Sequence, residues 1–72
     1  MTPWIKTHGF AQDVGIKWIS WKQSSTEVEI TLFGDGEIEV FTPGSDSALL
    51  PNAVVFQLAN AITLLNKTGE LP

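Results

Sequence analysis

The sequence contains no cysteine and no arginine, and it has a single histidine among its 72 residues. Without cysteine, neither a disulfide bridge nor a thiolate metal site can form. One histidine alone cannot build a transition-metal site, so we expect no metal and no other cofactor. A chain this short buries only about 60% of the surface that its unfolded form exposes. Association with another chain is the stabilising device that these absences leave open.

The lack of arginine also bears on the class of partner. Arginine is the usual bidentate reader of guanine and phosphate, and affinity for nucleic acid comes largely from neutralised phosphates. The four basic residues are all lysines, and the net charge is −4. We therefore expect no direct binding to nucleic acid.

Long apolar runs are missing as well. The most apolar stretch, residues 53–65, is interrupted by polar side chains and is shorter than the roughly 20 residues that cross a bilayer. The first residues carry no basic segment followed by an apolar run, so no signal peptide is expected. These observations predict no membrane partner and a cytoplasmic location.

Period-two patterns predict a sheet in the middle of the chain. Residues 15–22 are rich in β-branched and aromatic side chains, and residues 26–33 and 37–42 alternate between apolar and polar positions. Such patterns are typical of strands. Residues 1–13 are harder to interpret, and they can supply a further N-terminal strand or an arm held against the domain.

The second hairpin has a predicted register. A three-residue loop, Gly34-Asp35-Gly36, places Leu32 opposite Ile38 and Ile30 opposite Val40, so that the apolar faces match. We expect one of its glycines to have a positive φ.

For the first hairpin, two registers stay open. A two-residue turn at Ser24-Ser25 pairs Trp21 with Val28, Ile19 with Ile30 and Lys22 with Glu27. A three-residue turn pairs Trp18 with Ile30. In both registers, one of Trp18 and Trp21 faces away from the helix side of the sheet.

A helix is expected after a loop over residues 43–50. Asn52 is the expected N-cap, and the helix should end near Lys67, before Gly69. Its predicted inner face consists of Val54, Val55, Leu58, Ala61, Ile62 and Leu65, and we expect this face to cover the apolar side of the sheet. The sequence thus predicts one α+β domain over residues 1–72, in which a three-stranded antiparallel β-meander, with a fourth strand if the N-terminal residues join it, carries a C-terminal helix on one face.

Acidic residues are concentrated in the strand region. Residues 26–50 contain no basic side chain and six acidic ones, namely Glu27, Glu29, Asp35, Glu37, Glu39 and Asp46. The sheet side opposite to the helix is expected to carry a partner-binding set of Glu27, Glu29, Phe33, Glu37, Glu39 and Phe41. Clustered carboxylates attract a basic partner, and aromatic side chains supply contact area. The alternative is an ordinary solvated strand face.

The leading hypothesis from these patterns is a small acidic protein-interaction module that acts as an adaptor, regulator or inhibitor. Its partner would be another protein with a basic surface, and in a narrower form the glutamates would mimic nucleic acid in a phosphate-binding groove.

A second hypothesis concerns the outward helix face, where Phe56, Asn60, Thr63 and Leu64 form a neutral surface. Such a surface suits a homodimer interface, and the chain would then be a structural or assembly subunit.

Enzymatic activity is not expected. His8 lies in the poorly defined N-terminal segment without a nucleophile motif around it. The predicted carboxylates lie on an exposed sheet rather than in a cleft, so we assign no catalytic residue.

Overall fold

The computed structural model describes residues 3–44 and 47–72. The elements are β1 (Trp4–Ala11), β2 (Ile16–Gln23), β3 (Glu29–Phe33), β4 (Ile38–Phe41) and α1 (Asn52–Thr68). The strands form one antiparallel sheet in the order β1-β2-β3-β4, and α1 packs on one of its faces. The predicted α+β fold is confirmed, and the N-terminal segment supplies the fourth strand. The predicted loop at 43–50 includes Ser45 and Asp46, which lie outside the described residues.

The β3–β4 hairpin has the predicted register. Leu32 pairs with Ile38 and Ile30 pairs with Val40. The Phe33 N–H donates a 2.9 Å hydrogen bond to the Glu37 carbonyl, and Gly36 has the expected positive φ, at 95°. Matching of apolar faces was therefore sufficient to fix this turn.

In the β2–β3 hairpin, both predicted registers are wrong. Trp21 pairs with Ile30 rather than with Val28, and Lys22 pairs with Glu29 rather than with Glu27. The loop spans residues 24–27, because the Gln23 N–H donates to the Val28 carbonyl at 2.9 Å.

Contacts within this loop account for its length. The Thr26 hydroxyl donates to Gln23 Oε1 at 2.8 Å, and the Glu27 N–H donates to the Gln23 carbonyl at 2.9 Å. The longer loop shifts the register by two residues from the two-residue-turn alternative, so each β2 side chain keeps its face. Trp21 points toward α1 and Trp18 points away from it, so the expected division of the two tryptophans is confirmed.

The core lies between the middle of the sheet and α1. Its buried members are Ile19, Trp21, Ile30 and Leu32 from the sheet and Val54, Ala61 and Leu65 from the helix. Leu58 and Ile62 are half-buried against this cluster, whereas Val55, which was predicted to face inward, is exposed. At 100° per residue, Val55 lies far enough from Val54 to fall at the margin of the apolar face.

The two ends of α1 differ in how well they were predicted. Pro51 is the N-cap and makes no side-chain cap hydrogen bond, so the assignment of Asn52 as the N-cap is wrong. Proline has a fixed φ near −65° that suits the chain entering a helix. At the other end, Gly69 adopts the left-handed conformation and its N–H donates to the Leu65 carbonyl at 2.8 Å, as the stop signal predicted.

Among the described residues, α1 does not cover the side chains of β4. Ile38 and Val40 point to the helix side of the sheet, yet they are 46% and 56% exposed. We expected α1 to cover them, and that expectation is wrong. A helix is about 10 Å wide and neighbouring strands are about 4.8 Å apart, so one helix cannot cover all four strands.

Candidate interaction surface

The outer face is the side of the sheet opposite to α1. Cross-strand partners point to the same side of a sheet, so the register arranges this face in four rows. They are Ile5, Lys22, Glu29 and Phe41; Thr7, Ser20, Thr31 and Glu39; Gly9, Trp18 and Phe33; and Ala11 and Ile16. Within residues 3–44 and 47–72, no helix or strand packs over the outer face.

Four of the six residues predicted to bind a partner lie in strands on the outer face. Glu29 and Phe33 belong to β3 and are half-buried, whereas Glu39 and Phe41 belong to β4 and are exposed. Glu29 is the cross-strand partner of Phe41, so a carboxylate and an aromatic ring are neighbours on this face.

The other two predicted residues lie at the ends of the strands. Glu37 follows the hairpin loop, opposite Phe33, and is exposed. Glu27 was predicted to be in a strand, but it lies in the β2–β3 loop with a positive φ of 61°. Glu27 lies in that loop because the β2–β3 connection is longer than either predicted turn. Its side chain lines the same depression as Glu29 and Lys22.

A chain of hydrogen bonds crosses the centre of the outer face. The Ser20 hydroxyl donates to Glu29 Oε2 at 2.8 Å, and Ser20 Oγ lies 3.2 Å from Thr31 Oγ1. Because a hydroxyl has only one proton to donate, Thr31 is the donor to Ser20. Ser20 is only 1% exposed and Thr31 is buried as well. The Ser20 hydroxyl therefore orients the Glu29 carboxylate beside the middle row of this face.

Sequence reasoning missed this chain of hydrogen bonds. Glu29 was assigned to an exposed face, and Ser20 was not singled out. Only the β2–β3 register brings Ser20 beside Thr31, and neither of the two registers considered places them opposite each other.

Two shallow depressions share Glu29. One has a volume of about 260 Å³ and is lined by Ile5, Thr7, Lys22, Ser24, Glu27 and Glu29. The other has a volume of about 240 Å³ and is lined by Ala11, Trp18, Glu29, Thr31 and Phe33. Both are smaller than the roughly 300–1,000 Å³ of small-molecule sites, and they suit the seating of single side chains from a partner.

The charge of the outer face is predominantly negative. In the described residues, the strands of this face and their ends carry four glutamates, Glu27, Glu29, Glu37 and Glu39, and Lys22 lies beside Glu27 and Glu29. The parts of the chain that the structure describes contain no group of three or more histidine, aspartate or glutamate side chains placed to hold a metal ion.

The outward face of α1 carries the four residues predicted for an oligomer interface. Phe56 is 67% exposed, and Asn60, Thr63 and Leu64 are exposed as well. An open apolar depression of about 610 Å³ lies beside Phe56, lined by Asn52, Ala53, Val55, Phe56 and Ala59. It occupies the N-terminal half of the helix, whereas Thr63 and Leu64 lie farther along.

Comparisons with known proteins found no matching family model, no matching curated protein and no matching solved structure. In the described residues, no helix combines the length and the apolar character needed to pass through a lipid bilayer.

Proposed function

We propose that this protein is a small interaction module whose outer face binds a basic surface on another protein. The observation that carries the proposal is a sheet face that no described helix or strand covers and that combines aromatic side chains with an excess of carboxylates. Contiguous exposed surface of mixed apolar and charged character is typical of protein-binding sites.

Charge and apolar contact have separate roles in the proposed complex. The glutamates raise a negative potential that steers a basic partner toward the face. Phe41, which is 53% exposed, and the half-buried ring of Trp18 then supply the apolar contact that holds the complex together. Glu29 is bonded to Ser20 before the partner arrives, so a partner cation meets a carboxylate whose position is already fixed.

The proposal includes a cytosolic location and a role as an adaptor, regulator or inhibitor. Mimicry of nucleic acid is its narrower form, and it makes an additional demand. If the partner groove normally holds phosphates, duplex DNA or RNA must displace this protein from the captured partner.

A charge-reversal pair with a matched control tests the proposal. Glu37→Lys with Glu39→Lys reverses two exposed carboxylates on the outer face and leaves the Ser20–Glu29 hydrogen bond in place. Asp13→Lys with Glu70→Lys makes the same change in net charge at two exposed positions outside that face. All three chains are immobilised at equal density and exposed to extract from the native host, and the bound proteins are quantified.

We expect the wild-type chain and the control pair to retain the same basic protein and the Glu37/Glu39 pair to retain about tenfold less of it. Equal retention by all three chains would show that the acidic face is only a solvated surface. Circular dichroism of each variant confirms that the fold is unchanged.

The apolar depression beside Phe56 favours a second candidate function, that of an assembly subunit that dimerises through α1. This candidate predicts a mass that rises with concentration in light scattering, and a return to the monomer mass after Phe56→Glu. A constant monomer mass would reject it and leave the interaction-module proposal unaffected.

A further inference from the structure

The strand β4 forms one edge of the sheet. In an antiparallel ladder, hydrogen-bonded and non-bonded residue pairs alternate. The Phe33–Glu37 pair is hydrogen-bonded, so Thr31–Glu39 falls at a bonded position. Ile38 and Val40 occupy the positions between.

The backbone N–H and C=O groups of Ile38 and Val40 therefore point away from β3, toward the open edge. Across residues 3–44 and 47–72, no backbone hydrogen bond from a loop or turn reaches either residue. Four backbone groups are thus available to a further strand at this edge.

The side chains of this edge alternate in chemistry. Ile38 and Val40 form an exposed apolar row on the helix side, beyond the cover of α1. Glu39 lies on the outer face, and Glu37 comes two residues before it, just as Ile38 comes two residues before Val40. A strand that adds to this edge would meet apolar side chains on one side and carboxylates on the other.

We propose that β4 binds an extended segment of the partner by β-strand addition, in antiparallel orientation, and that the segment alternates apolar and basic residues. Main-chain hydrogen bonds to Ile38 and Val40 supply affinity, and the side-chain alternation supplies specificity. The apolar side chains of the segment contact Ile38 and Val40, and a lysine or arginine faces Glu39. This inference rests on the proposed function, because Glu37 and Glu39 also belong to the acidic surface proposed above.

Charge decides between this occupant and a second copy of the chain. Two β4 edges in one extended sheet would place Glu37 and Glu39 of both copies on the same side, where like charges oppose pairing. Each copy also has a net charge of −4. A segment with basic residues at the alternate positions removes this repulsion and replaces it with attraction.

The probe is a synthetic peptide of sequence Thr-Lys-Ile-Lys-Val-Lys-Thr, titrated into isotopically labelled protein and followed by NMR. In the proposed alignment, its Ile and Val lie opposite Val40 and Ile38, and its central Lys lies opposite Glu39. We expect saturable binding, with the largest changes at the amide signals of β4.

Two modified peptides test the hydrogen bonds. In the antiparallel alignment, the N–H groups of the peptide's Ile and Val face β4, whereas those of its lysines face solvent. N-methylation of the Ile and Val should weaken binding by about tenfold or more, whereas N-methylation of the three lysines should change it less than about threefold. A peptide of the same composition with its lysines clustered at one end should also lose about tenfold in affinity.

Variants of the protein test the same edge. Val40→Pro removes the N–H that points to the open edge and makes no change in charge, and Val40→Thr is the matched control that keeps this N–H. Ile38→Thr with Val40→Thr removes the apolar row and provides a second test if the proline variant fails to fold. We expect Val40→Pro to abolish peptide binding, Val40→Thr to retain most of it, and the double threonine variant to weaken it severalfold.

The inference is overturned if the peptides bind equally well whichever amides are methylated, or if none binds. It is also overturned if light scattering shows a dimer that Val40→Pro dissolves, because the second copy would then be the occupant. A captured basic partner that binds Val40→Pro as well as wild type, but not the Glu37/Glu39 reversal, would remove the strand-addition mode and leave the proposed function standing.

Discussion

The indole ring of Trp18 lies directly over Gly9 of the neighbouring strand. A Cβ atom built on Gly9 would be 2.7 Å from Cε2 of Trp18 and closer still to Cζ2. These distances are well inside van der Waals contact, so glycine at this position allows the ring to lie flat across β1. Because Gly9 has no side chain, the ring of Trp18 can contribute its surface to the outer face.

We predict that Gly9→Ala destabilises the fold by about 1–3 kcal/mol because the methyl group displaces the ring. Urea denaturation gives the free energy of unfolding, and Trp18→Leu completes a double-mutant cycle. In the Trp18→Leu background, the cost of Gly9→Ala should fall by about 1 kcal/mol or more. Additive effects would mean that the ring does not lie over Gly9.

The link between Trp21 and Gln57 gives a prediction for the packing of the helix. Trp21 Nε1–H donates to Gln57 Oε1 at 3.0 Å, and the Trp21 side chain is buried. Gln57→Leu leaves this N–H without its partner, and we expect a loss of about 1–2 kcal/mol in unfolding free energy. Asn60→Leu is the matched amide-to-leucine control on the exposed side of α1, with an expected change within about 0.5 kcal/mol. Equal effects would show that the hydrogen bond contributes nothing.

The hydrogen-bond chain at the centre of the outer face gives a third prediction. Ser20→Ala removes the donor to Glu29 and the acceptor for Thr31. Since both partners then lose a hydrogen bond, we expect destabilisation by about 1–2 kcal/mol. Thr7→Ala, at an exposed position in the same row, should change stability by less than about 0.5 kcal/mol. Thermal denaturation of the two variants provides the comparison. If Ser20→Ala leaves the stability unchanged, the hydrogen bonds that link Thr31, Ser20 and Glu29 are refuted.

The positive φ of Glu27 gives a fourth prediction. A residue with a Cβ is strained in the left-handed region, and glycine is not. Glu27→Gly should therefore raise the unfolding free energy by about 0.5–1 kcal/mol. Glu37→Gly, which removes a carboxylate at a position without a positive φ, should give no such gain.

Sequence patterns correctly predicted those parts of the fold that each depend on a single physical requirement. The β3–β4 register follows from matching apolar faces across Gly34-Asp35-Gly36, and the end of α1 follows from Gly69. The division of Trp18 and Trp21 between the two faces follows from strand alternation alone, because it holds in every register considered.

Other parts depend on contacts that the pattern does not contain. The β2–β3 loop is set by hydrogen bonds among Gln23, Thr26 and Glu27, so counting residues between apolar positions gave the wrong register. Burial of Ser20 depends on that register in turn. The exposure of Ile38 and Val40 depends on the width of one helix against four strands, because α1 covers the centre of the sheet and not its edge.

Mapping the residues of this protein that contact the captured partner tests the proposed function most directly. The three tryptophan indole N–H signals can report these contacts by NMR. Trp18 lies on the outer face, whereas Trp4 and Trp21 pack against the core on the helix side. We predict that the partner shifts the indole signal of Trp18 and the amide signals of Phe33, Glu39 and Phe41, and leaves the Trp21 indole signal in place. Shifts confined to the outward residues of α1, such as Phe56 and Asn60, would contradict binding through the outer face.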